Sequence, residues 1–204
     1  MRLVASVLVL AVAVSAAHAQ VQLDPDTRQP IGPAMSRPAA GGSAISSFGG
    51  LSSFFSSSPI PRQTVSFPAK YGPGTIVVNT TERRLYYVLG EGQALRYGIG
   101  VGRIGFTWAG THHVSQKREW PDWTPPAQML RRRPDLPKYM KGGPDNPLGA
   151  RAIYLGSTLF RIHGSNEPET IGQAVSSGCF RMTNDDVIDL YNRVRVGAVV
   201  HVMR

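Results

Sequence analysis

The chain contains 204 residues, of which 22 are lysine or arginine and 13 are aspartate or glutamate, so its formal net charge is +9 at pH 7. Its single cysteine, Cys179, excludes an intrachain disulfide. The basic surplus points to an anionic partner, and composition alone leaves open nucleic acid, an anionic lipid surface and a carboxylate-rich polymer.

The N-terminal segment has the form of a secretory signal. Arg2 precedes an apolar run, and Ala17-His18-Ala19 has the small-x-small pattern that signal peptidase cuts. The apolar run is shorter than the roughly 20 residues that span a bilayer, so a retained anchor is the weaker alternative. We therefore expect residues 1–19 to be a signal peptide and the protein to be exported to the periplasm or cell envelope. Export argues against nucleic acid as the partner.

Residues 20–66 are rich in proline, glycine and serine and lack a sustained apolar period. This composition predicts a disordered tether. From residue 67 onwards, short β-rich runs alternate with turn signals, and this pattern predicts one folded domain over residues 67–204.

Six apolar runs predict strands in this domain: 75–79, 85–89, 95–101, 152–156, 159–163 and 198–202. Two segments predict helices. The first is 168–175, with proline in the first turn. The second is 184–194, with Asn184 as the N-cap and an apolar stripe from Val187 to Val194. The expected fold class is therefore mainly β, or α+β, with a helix covering the sheet.

A long stretch between Glu119 and Gly149 shows little periodicity. Ordered loops of this length usually have a function. Its aromatic residues either form a wall of a substrate groove or only pin the loop to the domain; they are Trp120, Trp123 and Tyr139. The basic run 131–133 either meets carboxylates of a ligand or is a solvated surface, and the solvated surface is favoured.

The chemistry of the chain is concentrated between His163 and Cys179. A predicted strand leads to His163, and Cys179 follows sixteen residues later in a turn that contains Gly178. A thiol with a pKa of about 8.5 is mostly protonated at neutral pH, so a nearby imidazole that accepts its proton creates the nucleophile. The N–H groups of Gly178 and Cys179 are candidate donors to an oxyanion, because glycine permits a tight turn there.

These segments resemble the catalytic domain of the L,D-transpeptidase (YkuD-like) family. The resemblance lies in His163-Gly164 and in the run Ser176-Ser177-Gly178-Cys179-Phe180-Arg181, and it extends to the segments 123–126 and 146–151. It covers most of residues 73–204. The family resemblance implies a curved mixed β-sheet sandwich with a capping helix and a Cys/His site in a groove.

Carried over by position, Cys179 corresponds to the nucleophile, His163 to the general base, and the backbone carbonyl of Gly164 to the group that orients the imidazole. Ser176 and Arg181 correspond to residues that support the site or contact substrate. Ser177 stands where many relatives have histidine or lysine, and it is a further candidate for substrate binding or site support. A structural ion pair is the alternative role for Arg181.

The resemblance also implies a reaction. Cys179 would attack the bond between the diamino acid and D-Ala of a peptidoglycan tetrapeptide stem. Transfer to another stem would form a 3→3 cross-link, transfer to water would be carboxypeptidase action, and transfer to an envelope protein would anchor that protein. We favour cross-linking, by a monomer that needs no cofactor.

Three alternatives to this reading are weaker. A cysteine hydrolase of the wall-lytic type normally places its cysteine before its histidine, and a sortase would carry Thr-x-Thr-Cys. The third alternative is a non-catalytic wall-binding protein with a vestigial site. A metal site is not expected, because the adjacent His112 and His113 would point to opposite faces of a strand.

Overall fold

The computed structural model describes residues 58–204, which form eleven strands, two α-helices and one 3-10 turn. The strands are β1 Gln63–Ser66, β2 Ile76–Asn79, β3 Arg84–Gly90, β4 Gln93–Gly98, β5 Val101–Gly102, β6 Gly110–Glu119, β7 Arg151–Leu155, β8 Arg161–His163, β9 Ala174–Ser176, β10 Phe180–Arg181 and β11 Val199–Met203. The helices are α1 Ala127–Arg132 and α2 Asn184–Arg193, and the 3-10 turn is Pro168–Thr170.

Nine strands form one mixed sheet in the order β1-β4-β3-β2-β11-β6-β7-β8-β10. Strand β11 runs parallel to β2 and antiparallel to β6, and β10 runs parallel to β8. The first half of β6 pairs with β11 and its second half with β7. This one long strand therefore joins the two halves of the sheet.

The two halves of the sheet and α2 contribute to one hydrophobic core. Ile76 and Leu85 come from one half, Ile153 and Ile162 from the other, and all four are fully buried. Leu190 of α2 joins the same cluster. The predicted fold class, a mainly β domain with a mixed sheet and a covering helix, is confirmed.

All six predicted strand regions contain observed strands, but no sequence pattern predicted β6. Of its ten residues only Val114 is buried, so the strand lacks the alternation that sequence patterns detect. The ladders to β11 and β7 on its two sides hold it in place.

The predicted helix over 168–175 is wrong. Only the 3-10 turn forms, and β9 follows it and pairs in parallel with β5. Gly172 has φ of +85°, in the left-handed region that ends a helix. The N–H of Val101 then donates to the Gln173 carbonyl at 2.9 Å, so ladder bonds replace helical ones.

Two predicted boundaries also shift. Helix α2 is confirmed over 184–193, but its N-cap is Thr183, whose hydroxyl accepts from the Asp186 N–H at 3.3 Å. Strand β1 lies inside the segment predicted as a tether and pairs with β4. The predicted signal peptide and the remainder of the predicted tether, up to residue 57, lie outside the described residues.

Candidate active site

His163 ends strand β8 and is buried, with 5% of its surface exposed. Its Nδ1 lies 2.6 Å from the Gly164 carbonyl oxygen. A carbonyl can only accept, so Nδ1 carries the proton and donates, which leaves Nε2 as a proton acceptor. The predicted contact between the imidazole and the Gly164 carbonyl is therefore present.

The imidazole is held in its neutral form. Burial lowers the pKa of His163 to about 3, and the positive charges of Arg181 and Arg161 act in the same direction, against the hydrogen bond to Gly164. Burial also raises the pKa of the Cys179 thiol, against the opposing effect of the same two arginines. The resting pair is thus a neutral thiol and a neutral imidazole.

The turn that presents Cys179 is fixed by three hydrogen bonds. The Ser176 hydroxyl donates to the Cys179 carbonyl at 2.6 Å and accepts from the Gly178 N–H at 3.1 Å. The indole N–H of Trp108 donates to the Gly178 carbonyl at 2.8 Å. Gly178 has φ of +112°, and a Cβ there would lie 2.6 Å from Phe160, so the turn requires glycine.

This arrangement narrows the candidate oxyanion donors. The N–H of Gly178, expected to point at the oxyanion, is instead occupied by the Ser176 hydroxyl. The reason is local: a serine two residues before the glycine can reach back to its N–H, as in a serine turn. The N–H of Cys179 is left as the backbone candidate.

The Cys179 side chain is half-buried and opens on a cavity of about 620 Å³. The cavity is also lined by predicted site residues from three separate segments, namely His163, Ser176, Ser177 and Arg181. The structure thus brings the imidazole and the thiol to one cleft, as the sequence led us to expect. The volume falls within the range of small-molecule and peptide sites.

Strand register explains why these side chains share the cleft. Strands β8 and β10 pair in parallel, with Phe180 opposite Ile162 and Arg181 opposite His163. Phe180 and Ile162 are fully buried in the core. Because successive side chains alternate between faces, their neighbours on both strands face the cavity.

Arg181 is paired inside the protein. Its Nη1 lies 2.8 Å from Oε2 of Glu167, and the two side chains are 10% and 15% exposed. The predicted alternative of a structural ion pair is therefore present, in a side chain that also lines the cavity. Glu167 carried no sequence signal beyond its place in the spacer between His163 and Cys179.

Close packing explains the glycine after His163. A Cβ on Gly164 would lie 2.3 Å from the Asn184 side-chain oxygen and 3.0 Å from the Ala150 nitrogen. That same oxygen accepts from the Ala150 N–H at 2.8 Å. Asn184, expected to cap α2, thus anchors the segment beside the histidine.

Sequence reasoning also missed Trp108. Its ring stacks on Phe160 with centroids 4.4 Å apart, and its indole N–H holds the cysteine turn. No sequence pattern near Trp108 indicates a role at the site. Its two partners, Phe160 and Gly178, lie 52 and 70 residues further along the chain.

The long loop contributes one aromatic residue to the cleft. Trp123 is buried and lines the cavity, whereas Trp120 and Tyr139 are 40% and 56% exposed and do not line it. Arg132 and Arg133 also line the cavity, and Arg133 donates to the Asp135 carboxylate at 2.8 Å. The loop thus forms one wall of the groove.

Within residues 58–204, no group of three or more histidine, cysteine, aspartate or glutamate side chains is placed to hold a metal ion. In the same range, none of the helices combines the length and the apolar character that crossing a membrane requires.

Comparison with known proteins places this geometry in a family. The family model of the L,D-transpeptidase catalytic domain matches residues 73–202. ErfK/SrfK of Escherichia coli K12, described as a probable L,D-transpeptidase, is 40% identical over 153 residues, covering 71% of this chain and 48% of that protein. YbiS of the same strain, described likewise, is 39% identical over 150 residues, covering 69% and 47%. The chain thus spans about half the length of these curated relatives.

Solved structures agree on the fold. An L,D-transpeptidase of Mycobacterium smegmatis superposes with a TM-score of 0.52 at 18% identity, covering 64% of this chain and 58% of that one. L,D-transpeptidase 3 of Mycobacterium tuberculosis gives 0.51 at 18% identity, covering 65% and 62%. With the family model matching 73–202, the mixed sheet and the Cys179/His163 cleft, this chain belongs to the L,D-transpeptidase catalytic-domain family.

Proposed function

We propose that this protein is an exported peptidoglycan L,D-transpeptidase that uses Cys179 as nucleophile and His163 as base. The acyl donor would be a tetrapeptide stem, cut between the diamino acid and D-Ala, and the main product a 3→3 cross-link. One observation carries the proposal: thiol and imidazole line the same cavity, and the Gly164 carbonyl holds Nδ1 so that Nε2 is the acceptor.

The reaction would begin from the neutral pair. As the sulfur of Cys179 attacks the carbonyl carbon, Nε2 of His163 takes the thiol proton, and the N–H of Cys179 is the candidate donor to the oxyanion. When the intermediate collapses, the imidazolium gives its proton to the nitrogen of the departing D-Ala. The products of this half-reaction are a thioester on Cys179 and free D-Ala.

The second half-reaction reverses the roles. The side-chain amine of another stem attacks the thioester carbonyl while His163 accepts a proton from that amine. Collapse then breaks the carbon–sulfur bond, and the thiolate takes its proton back from the imidazolium. Water in place of the amine would give a carboxypeptidase, and an amine of an envelope protein would give an anchored protein.

The neutral resting pair supports general-base catalysis over a preformed ion pair. Both pKa shifts oppose charge separation before substrate binds, since burial disfavours imidazolium and thiolate alike. The carbonyl that fixes the imidazole takes the place that a carboxylate holds in a Ser-His-Asp triad.

Mass spectrometry of the products from defined disaccharide-tetrapeptides tests the proposal. We expect release of D-Ala together with a 3→3 dimer, and loss of both in Cys179→Ala and in His163→Asn. His201→Asn serves as the matched histidine control, because His201 lies on β11 and outside the cavity. Undiminished D-Ala release by Cys179→Ala would refute the mechanism.

The same spectra identify the acceptor. Tripeptide without dimer would show that water accepts, and a mass increase on an added envelope protein would show anchoring. Binding to the wall without any product, together with a Cys179 thiol that does not react with iodoacetamide, would favour the non-catalytic alternative.

A further inference from the structure

A guanidinium lies beside the nucleophile. Arg161 and His163 flank Ile162 on β8, and since Ile162 points into the core, the two neighbours face the cavity. The register that sets Phe180 opposite Ile162 brings Cys179 alongside Arg161. Arg161 lines the same cavity as Cys179, and its side chain and main chain both stabilise the thiolate form of Cys179.

The charge of Arg161 has no carboxylate partner inside the described fold. Arg181 is paired with Glu167 and Arg133 with Asp135, but within residues 58–204 no carboxylate forms an ion pair with Arg161. The Nε of Arg161 is buried and has no hydrogen-bond partner there. Its guanidinium carbon lies 5.2 Å from the centroid of the Tyr154 ring, which supports the plane from one side.

The chemistry of such a group suits an anion that enters with the substrate. A buried donor without a partner is costly, and a guanidinium offers a planar pair of N–H groups that fits a carboxylate. Tyr154 limits the freedom of the side chain, so less entropy is lost when a ligand binds.

We propose that Arg161 binds the terminal carboxylate of the residue that leaves when Cys179 is acylated. The inference rests on the proposed function. In a reactive complex the scissile carbonyl carbon sits about 3–3.5 Å from the attacking sulfur. The carboxylate of the leaving D-amino acid is only three bonds from that carbon, and a guanidinium beside the sulfur can therefore reach it.

This role would make the site selective for stems that have a free C-terminal carboxylate at D-Ala. A stem that ends at D-Ala presents a carboxylate to Arg161, whereas a stem that is amidated there, or extended by another residue, presents a neutral amide. The neutral amide leaves the guanidinium without its partner, and a site built for a polar group rejects a ligand that lacks it.

Two matched substrates test the inference: a stem tetrapeptide with a free C-terminal carboxylate, and the same peptide as its C-terminal amide. We expect the wild-type protein to favour the acid in kcat/KM by roughly 10- to 100-fold, the range of a hydrogen bond to a charged group. Arg161→Met should bring this ratio close to unity, and Arg161→Lys should keep part of it. Arg195→Met, an exposed arginine outside the cavity, should keep all of it.

The outcomes separate this inference from the proposed function. No release from either peptide by the wild-type protein would overturn both. If the wild-type protein cleaved both peptides at equal rates, the role of Arg161 would be overturned and the proposed function would stand. This outcome needs no variant. If Arg161→Met slowed both peptides equally and also slowed alkylation of Cys179 by iodoacetamide, the arginine would serve the thiolate and not the substrate, and the inference would again be wrong.

Discussion

The neutral state of His163 predicts a specific dependence of stability on pH. In the unfolded chain the imidazole has its ordinary pKa near 6.5, and in the folded protein burial lowers that pKa to about 3. Between these values the unfolded state takes up a proton that the folded state does not bind. The contribution of His163 to stability is therefore complete above about pH 6.5 and declines as the pH falls towards 3.

The loss of stability depends on how far the pH lies below the pKa of His163 in the unfolded chain. Each pH unit below 6.5 removes about 1.4 kcal/mol, so at pH 5 the cost is about 2 kcal/mol. This value does not depend on the folded pKa as long as that pKa stays well below 5. Because His163 is 5% exposed, solvent screens the effect little.

The perturbation is His163→Asn, whose side-chain amide can replace Nδ1 as donor to the Gly164 carbonyl but cannot titrate. We would measure the free energy of unfolding by urea at pH 7 and pH 5 from tryptophan fluorescence. The decrease in the free energy of unfolding from pH 7 to pH 5 should be about 2 kcal/mol larger in the wild type than in His163→Asn. The buried Asp186, whose pKa burial raises, contributes to both proteins and cancels.

His201→Asn is the control and should keep the wild-type pH dependence. If wild type and His163→Asn lost stability in parallel between pH 7 and pH 5, the imidazole would not be held neutral by burial. The general-base reading of the site would then lose its electrostatic support.

Three further substitutions probe the supports of the site. Glu167→Ala should lower the free energy of unfolding by about 3 kcal/mol, because it leaves the buried Arg181 without its carboxylate. Trp108→Phe keeps an aromatic ring but removes the donor to the Gly178 carbonyl. The lost hydrogen bond should lower the free energy of unfolding by about 1 kcal/mol. The activation free energy calculated from kcat should rise by more than that loss. Asn146→Ala removes an amide that donates to three loop carbonyls and should speed limited proteolysis between residues 120 and 149.

Each of these has a matched control and a contrary result. Glu169→Ala removes an exposed acid near Glu167 and should leave the free energy of unfolding unchanged. If Glu167→Ala also left it unchanged, groups other than Glu167 would stabilise Arg181. Full activity of Trp108→Phe would mean that the serine hydroxyl alone holds the turn. Asn192→Ala, an exposed amide on α2, is the control for proteolysis, and equal cleavage rates would rule out Asn146 as the anchor of the loop.

Much of the site was predictable because its signals are local. Two short segments carry these signals: the histidine at a strand end with the glycine after it, and the Ser-x-Gly-Cys turn. Their residue types alone indicate a base and a nucleophile. Helix α2 was equally visible, since Val187, Leu190 and Val194 form one apolar stripe and all three are buried.

The errors arose where backbone pairing decided the structure. The residues 168–175 carry a helical pattern, but Gly172 ends the turn and the edge of β5 is free to accept a strand. Strand β6 has almost no apolar signal, yet its backbone bonds to β11 and β7 hold it at the centre of the sheet. In both cases a partner distant in the chain outweighed the local preference.

The sequence by itself determined which residues are candidates for a nucleophile and a base, because a thiol, an imidazole and a glycine-containing turn are properties of residue type and order. Only the tertiary structure decided what surrounds them: that Arg181 pairs with Glu167 whereas no carboxylate within residues 58–204 pairs with Arg161, and that the Gly178 N–H is occupied by Ser176. The physical reason is that charge pairing and hydrogen bonding depend on distances of a few ångströms, and the parallel register of β8 and β10 sets those distances.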